Sequence, residues 1–304
     1  MVRSSGLWCI AVFAVIIAGS LYGNGGQEQK SGKPIIAVSI LPQSYFIERI
    51  AGDLAETVVL VGPGQSPHSY EPTPRQMALL AEARGWVLSN TDFEISLKPK
   101  IEELCPDLVI VDGTDGVQFR MLDSHGHSEP SGSGPVHGME LDRHTWLGRE
   151  PAKIMAAHIR DLFISIDGDH AALYEQNYTI LAADIDREFD SLGRELEPLR
   201  GRTVFVYHPS FGYFLDEFGI EQEAVETGGK EPTPRVLAEL IEKAQAENAA
   251  AIFVQAQFPL QSAKTVADSV GARVIPLDPL APDWLANIRF MGKSLKDALT
   301  GEVP

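Results

Sequence analysis

The sequence predicts an α/β protein made of two (β/α) lobes with mainly parallel sheets, joined by one long rigid helix. Short β-branched runs alternate with helical periodicity, which is typical of parallel βαβ units. The pentapeptide EPTPR occurs at 71–75 and again at 231–235, each time between a predicted strand and a predicted helix. Between the two copies, residues 170–199 form a helical stretch that is long enough to connect two lobes.

The first half of the chain alternates between strands and helices. Its predicted strands are 35–39, 57–61, 86–89 and 108–111, and its predicted helices are 45–51, 74–84 and 93–104. Thr73 suits the cap of the second helix because its hydroxyl can accept from an unpaired backbone N–H. Pro74 suits the first helical position, where no donor is lost, and Gln76 completes a capping box with Thr73.

The segment 112–143 interrupts this alternation. Its centre, SHGHSEPSGSGPVHG, is rich in Gly, Ser, Pro and His and predicts a mobile surface loop. The loop histidines His125, His127 and His137 could capture metal transiently or could simply be solvated, and the sequence leaves both readings open. Helical periodicity resumes at 151–166 and continues into the long connecting stretch.

The second half repeats the strand and helix alternation. Its predicted strands are 204–207, 223–226, 252–255 and 274–277, and its predicted helices are 211–218, 234–246, 262–270 and 283–299. Thr233 and Pro234 stand in the second EPTPR where Thr73 and Pro74 stand in the first, but Val236 replaces the capping-box glutamine. Both EPTPR copies lie between a predicted strand and a predicted helix, and two structurally related lobes explain this better than chance does.

The N-terminus has the features of a secretory signal peptide. Arg3 precedes an uncharged apolar run at 7–19, which is short for a bilayer span, and small residues follow it. A signal anchor is the alternative. The predicted organisation is a signal peptide at 1–23, a flexible tether at 24–33, a first lobe at 34–167, a linking helix at 168–200 and a second lobe at 201–304. We therefore expect a periplasmic or otherwise extracytoplasmic protein.

Composition excludes some classes of function. The chain has 304 residues and a formal net charge of −17, so it lacks the basic surface that nucleic acid phosphates require. It contains no phosphate-binding GxxxxGK[ST] loop, no HExxH and no GxSxG nucleophile elbow. Cleavage near residue 23 would leave Cys105 as the single cysteine, so no internal disulfide is expected.

Four polar side chains follow predicted strands or end the long loop. They are His68, His144, His208 and Asp278. Ligands of open α/β sheets bind beyond the carboxyl ends of the strands, so these side chains could meet in one crevice between the lobes. Three imidazoles and a carboxylate make a tetrahedral zinc set. Their spacings match no short zinc motif, and each residue could instead be a hydrogen-bonding or turn residue.

From about residue 34 to 299 the chain resembles the zinc/manganese solute-binding proteins of ABC transporters, the cluster A-I or ZnuA/TroA-like group. The family motif GxxxHxYEPTPxQ is matched at 64–76, YHPSFGYF stands at 207–214 and LDPL at 277–280. A further motif, Asp-Pro-His-x-Trp-Leu-Ser-Pro, appears as DRHTWLGR at 142–149. His144 is retained there, whereas the prolines and the serine are not.

The resemblance implies a metal site in the inter-lobe cleft with His68, His144, His208 and Asp278 as ligands. Imidazole at 208, where manganese-handling members commonly have Glu, points to Zn²⁺ as the transported ligand, with Mn²⁺ or iron as the alternative. The implied partners are a membrane permease and its cytoplasmic ATPase, and we expect a monomer without enzyme activity. An exported zinc hydrolase is the rival interpretation, because three histidines alone leave a coordination position for water.

Overall fold

The computed structural model describes residues 32–122, 141–226, 234–258 and 260–300. The predicted signal peptide, most of the tether, the three loop histidines and Thr233 lie outside these ranges. Within the described ranges, no helix is both long enough and apolar enough to cross a membrane.

Two four-stranded sheets form the framework, and every strand pairing in them is parallel. The strands are β1 Ile35–Ile40, β2 Glu56–Val61, β3 Gly85–Leu88, β4 Val109–Asp112, β5 Thr203–Val206, β6 Glu221–Ala224, β7 Ala251–Val254 and β8 Arg273–Pro276. The first sheet has the order β2-β1-β3-β4 and the second the order β6-β5-β7-β8. The two orders are equivalent, as expected of structurally related lobes.

Helices connect the strands and cover the sheets. They are α1 Leu41–Ala51, α2 Pro74–Glu82, α3 Asp92–Leu104, α4 Arg149–Ile166, α5 Ala171–Leu196, α6 Gly212–Asp216, α7 Pro234–Ala246, α8 Leu260–Val270 and α9 Trp284–Thr300. The predicted α/β class with two parallel sheets is confirmed. The cap predicted for α2 is also present: Thr73 Oγ1 accepts from the Gln76 N–H, and the Gln76 side chain accepts from the Thr73 N–H.

Most elements differ from their predicted bounds by one or two residues, and three of the differences have a clear physical reason. Helix α1 begins at Leu41 because Pro42 fits the first turn and the buried Gln43 side chain accepts from the Ser39 and Ile40 N–H groups. Strand β6 begins two residues earlier than predicted, since an edge strand pairs through its backbone and tolerates polar side chains. Helix α6 ends at Asp216, and Gly219 then turns the chain with a φ of 65°.

The long helix α5 has 26 residues, which corresponds to a length of about 39 Å. It packs against α1 and α4 of the first lobe and against α9, which follows the second sheet. A Cβ at Gly292 on α9 would overlap the Leu192 side chain, so this glycine permits the close approach of α5 and α9.

One apolar cluster runs through both lobes, with members as far apart in sequence as Ile36 and Ala298. Phe214 of α6 and Phe253 of β7 belong to it together with the first sheet. A second, smaller cluster lies between the second sheet and helices α7 and α8. The two lobes therefore contribute to one continuous apolar core.

Glu94 is a buried acid at the start of α3. The residue is only 2% exposed to solvent. Its two carboxyl oxygens accept hydrogen bonds from the Ser89 and Thr91 N–H groups at 2.8 and 2.7 Å. Burial raises the pKa of Glu94 to about 7, and hydrogen bonds from Ser39, Ser89 and Thr91 only partly oppose this shift. Near neutral pH the folded protein therefore keeps a proton that the unfolded chain releases.

We expect the ionisation of Glu94 to lower the free energy of unfolding as pH rises from about 4.5 to above 7, opposite in sign to the contribution of His208, whose pKa burial lowers to about 4. At Glu94 the folded state binds more protons than the unfolded state in that window, and the contribution of this residue amounts to about 3 kcal/mol in total. Glu94→Gln cannot ionise, so the free energy of unfolding of the unaltered protein should fall relative to that of Glu94→Gln between pH 5 and pH 8 in urea denaturation. The exposed Glu103→Gln on the same helix is the control; equal slopes for both variants would contradict the prediction.

Candidate metal centre

The histidines predicted from the sequence lie at the carboxyl edges of the two sheets. His68 is in the loop that connects β2 to α2. His208 follows β5, with only Tyr207 between the strand and the histidine. His144 directly precedes a 3₁₀ turn, Thr145–Leu147, that leads into α4. The first two positions follow from the strand order, because all strands of a parallel sheet end at the same edge.

The three imidazoles converge through their Nε2 atoms. His208 Nε2 lies 3.1 Å from His68 Nε2 and 3.2 Å from His144 Nε2, and the possible ligand atoms of all three residues lie within 4.8 Å of one another. Zn–N bonds of 2.0–2.1 Å in tetrahedral directions place two nitrogens about 3.4 Å apart. The histidine spacing therefore suits one small cation.

Each imidazole has a carboxyl partner on its other nitrogen. The Nδ1 atoms of His68, His144 and His208 lie 2.7, 2.9 and 2.6 Å from oxygens of Asp92, Asp142 and Glu226, respectively. A carboxylate can only accept, so each Nδ1 carries the proton and donates it. This tautomer leaves a lone pair on every Nε2.

Three lone pairs directed at one point repel each other unless a cation or a proton lies between them. Neutral imidazoles whose remaining N–H groups bind carboxylates are also the form in which histidine coordinates metals. Asp92 and Asp142 favour this form. The hydrogen bond from His68 lowers the pKa of Asp92, and His144 and Arg120 together outweigh burial to lower the pKa of Asp142.

Burial differs among the three histidines. His144 and His208 are buried, whereas about a third of the His68 side chain is exposed. Burial lowers the pKa of His208 to about 4, so its imidazole stays neutral throughout the mildly acidic range. Of the three imidazoles, that of His68 is therefore the most accessible to solvent.

Neighbouring side chains hold the buried rings in place. Phe258 stacks on His208 with ring centroids 4.7 Å apart, and Trp146 meets the edge of His144 at 5.4 Å. Gln255, after β7, donates to the His208 carbonyl at 2.6 Å and accepts from its N–H at 3.3 Å. Strands β5 and β7 are neighbours, so this amide fixes the His208 backbone at the carboxyl edge of the second sheet.

Asp278 lies apart from the histidine group. It follows β8, but its carboxylate is not among the ligand atoms that lie within 4.8 Å of one another. Its Oδ1 accepts from Gln257 Nε2 at 3.0 Å and from the Leu280 N–H at 2.9 Å. The structure thus brings three of the four predicted residues together and holds the fourth in a hydrogen-bonded turn.

Sequence reasoning missed the three carboxylates behind the histidines. Asp92 and Glu226 follow β3 and β6, so the strand-end rule that selected His68 and His208 also applies to them. Asp142 stands two residues before His144 and also accepts from the His144 N–H at 3.0 Å. Each could have been found by asking which acid could orient each imidazole.

Two equivalent parallel sheets and a three-imidazole centre between them define a two-lobed, metal-binding α/β protein. The family described as "ZnuA: Zinc-uptake complex component A periplasmic" matches residues 36–298, and the chain belongs to this family. The family consists of solute-binding transport components, which points away from enzyme activity.

Individual relatives agree with this assignment. The chain is 25% identical over 285 residues to the high-affinity zinc uptake system protein ZnuA of Bacillus subtilis, covering 91% of this chain and 88% of that protein. It is 25% identical over 281 residues to the zinc-binding lipoprotein AdcA of Streptococcus pneumoniae; the match covers 88% of this chain but only 54% of AdcA, about half of its length. A crystal structure of ZnuA superposes with a TM-score of 0.80 at 33% identity, covering 88% of this chain and 99% of that one.

Proposed function

We propose that this protein captures Zn²⁺ outside the cytoplasm and delivers it to an ABC-type membrane permease with its cytoplasmic ATPase. The convergence of three Nε2 lone pairs, each fixed by a carboxyl partner, is the observation that carries the proposal. The family to which the chain belongs and the names of its relatives support the same cargo and the same location. We further propose that it acts as a monomer.

In this proposal His68, His144 and His208 bind the ion first, and Asp278 completes the tetrahedron. Asp278 Oδ1 is the oxygen already engaged by Gln257 and Leu280, so the carboxylate has a second oxygen to offer. Imidazole is a softer ligand than carboxylate, and a set of three histidines favours zinc over manganese. One carboxylate ligand against a divalent ion leaves a net positive centre, which the acids behind the histidines neutralise.

Isothermal titration of the chelator-treated protein with Zn²⁺ tests the proposal. We expect one ion per chain, and Asp278→Ala should retain the stoichiometry while binding the ion about tenfold to a hundredfold more weakly. Elemental analysis of protein purified from its native compartment should find zinc. Manganese or iron in that sample would favour the alternative cargo.

Two other outcomes would contradict the proposal. A titration without a saturable zinc site would exclude zinc capture altogether. Asp278→Ala protein with unchanged affinity would remove Asp278 from the ligand set, and an exchangeable metal-bound water in the unaltered protein would then favour a hydrolytic site instead.

A further inference from the structure

Arg120 connects one of the histidine–carboxylate pairs to the second lobe. Its Nη1 donates to Asp142 Oδ2 at 2.8 Å, and the other oxygen of Asp142 orients His144. The remaining guanidinium nitrogens, Nε and Nη2, donate to the two carboxylate oxygens of Asp216 on α6. One side chain therefore joins the carboxylate behind a metal-binding histidine to the helix that begins four residues after His208.

The surrounding backbone is built around this guanidinium. The Tyr213 hydroxyl accepts from the Arg120 N–H at 3.0 Å and donates to the Asp142 carbonyl at 3.0 Å. The Asp142 N–H in turn donates to the Arg120 carbonyl at 2.9 Å. A Cβ at Gly212 would overlap Arg120 Nη1, so a glycine at this position is what lets the arginine cross to α6.

Asp142 depends on this arginine more than Asp92 depends on a cation. Asp142 is fully buried, and an unpaired charge in such a place is costly. Asp92 is 43% exposed and can be solvated, with Arg143 of its own lobe 3.5 Å away. Removal of the Arg120 guanidinium would leave Asp142 Oδ2 without its partner, so the carboxylate could rotate and release the constraint on His144 Nδ1.

We propose that Arg120 is a positioning residue for metal binding, which holds the His144 imidazole at its working distance from His208 across the two lobes. This inference rests on the proposed zinc-binding function. Arg120 reaches the ion only through Asp142 and His144, so its effect should appear in the affinity, the dissociation rate and the coordination geometry. Changes to residues behind metal-binding histidines typically weaken metal affinity about tenfold to a hundredfold.

The test compares three variants of the site with one control. Arg120→Gln removes the charge, Gly212→Ala displaces the guanidinium without deleting it, and Arg120→Lys keeps the charge but cannot bridge two carboxylates. Arg149→Gln is the matched control, because Arg149 also joins the first lobe to α5 and to Glu217, yet contacts no acid behind a histidine. Zn²⁺ affinity and dissociation rate are measured by competition with a chromophoric chelator.

We expect Arg120→Gln and Gly212→Ala to bind Zn²⁺ about tenfold to a hundredfold more weakly than the unaltered protein does. The affinity of Arg120→Lys should be intermediate between those two variants and the unaltered protein. Their Co²⁺ complexes should show altered d–d absorption, which reports ligand geometry and is insensitive to a loss of global stability. Arg149→Gln should match the unaltered protein in both measurements.

Equal affinity and equal Co²⁺ spectra for Arg120→Gln and Arg149→Gln would overturn the inference. If Arg120→Gln does not fold, Gly212→Ala and Arg120→Lys decide the question by the same criteria. Failure of the unaltered protein to bind Zn²⁺ would instead refute the proposed function. The two failures are therefore distinguishable.

Discussion

His68→Ala is expected to weaken Zn²⁺ binding by about a hundredfold or more while leaving the fold intact. Four-ligand zinc sites bind with about 10–16 kcal/mol, so one ligand accounts for roughly 3 kcal/mol, and each 1.4 kcal/mol changes affinity tenfold. His68 is the most exposed of the three histidines and lies in a loop, so its truncation removes little packing. Zinc titration measures the loss of affinity, and far-ultraviolet circular dichroism shows whether the fold is retained.

The control for this variant is His158→Ala. His158 lies on α4, and its Nε2 donates to the Asp115 carbonyl at 2.9 Å, so it is not one of the converging histidines. Its replacement should leave zinc affinity unchanged. Each lobe has its own buried sheet, so chelation should not abolish the helical signal of either variant. Comparable affinities for the two alanine variants would eliminate His68 as a ligand.

Trp284→Ala is expected to lower the free energy of unfolding by about 3–5 kcal/mol. The side chain is 1% exposed, and its ring packs against Phe46 with centroids 5.0 Å apart. Its Nε1 donates to the Trp146 carbonyl at 2.7 Å, and Trp146 Nε1 donates to the Pro279 carbonyl at 2.8 Å. The substitution therefore removes both apolar packing and a hydrogen bond that joins the His144 turn to α9.

Urea denaturation of the metal-free protein measures this loss. Trp284→Phe should retain most of the packing and cost only about 1 kcal/mol for the hydrogen bond and the smaller ring. Phe290→Ala, on the same helix but 53% exposed, is the control and should change stability by less than about 0.5 kcal/mol. A loss below 1 kcal/mol for Trp284→Ala would show that the two lobes do not depend on this contact.

The fold was largely predictable because local signals and burial agree along most of the chain. The apolar runs became strands, and Thr73 and Pro74 begin α2 as their chemistry predicts. The error at β6 occurred because backbone pairing decides the structure there. Strand β6 is an edge strand whose partner is β5, and its polar residues Glu221 and Gln222 give no strand signal.

The candidate site was predictable only in part. The strand-end rule selected His68 and His208, because it depends on topology, which alternation reveals, and His144 was selected because it ends the long loop. The roles of Asp92 and Glu226 depend on which side chains meet in space, and neither is near its histidine in sequence. Arg120 is harder still to find from the sequence. Its partner Asp142 stands at the end of the long loop, and its partner Asp216 is on a helix of the other lobe.

The apolar cluster that runs from Ile36 to Ala298 has a consequence for how cargo leaves the molecule. A large opening of the two lobes would have to expose part of that apolar core to water, at a cost of about 25 cal/mol for each Å² of apolar surface. Release of the ion should therefore require only small movements of the segments that carry the ligands, while the apolar core stays intact. In the proposed delivery to a membrane permease, that partner would act on those segments, and the metal-free and metal-bound forms would differ mainly there.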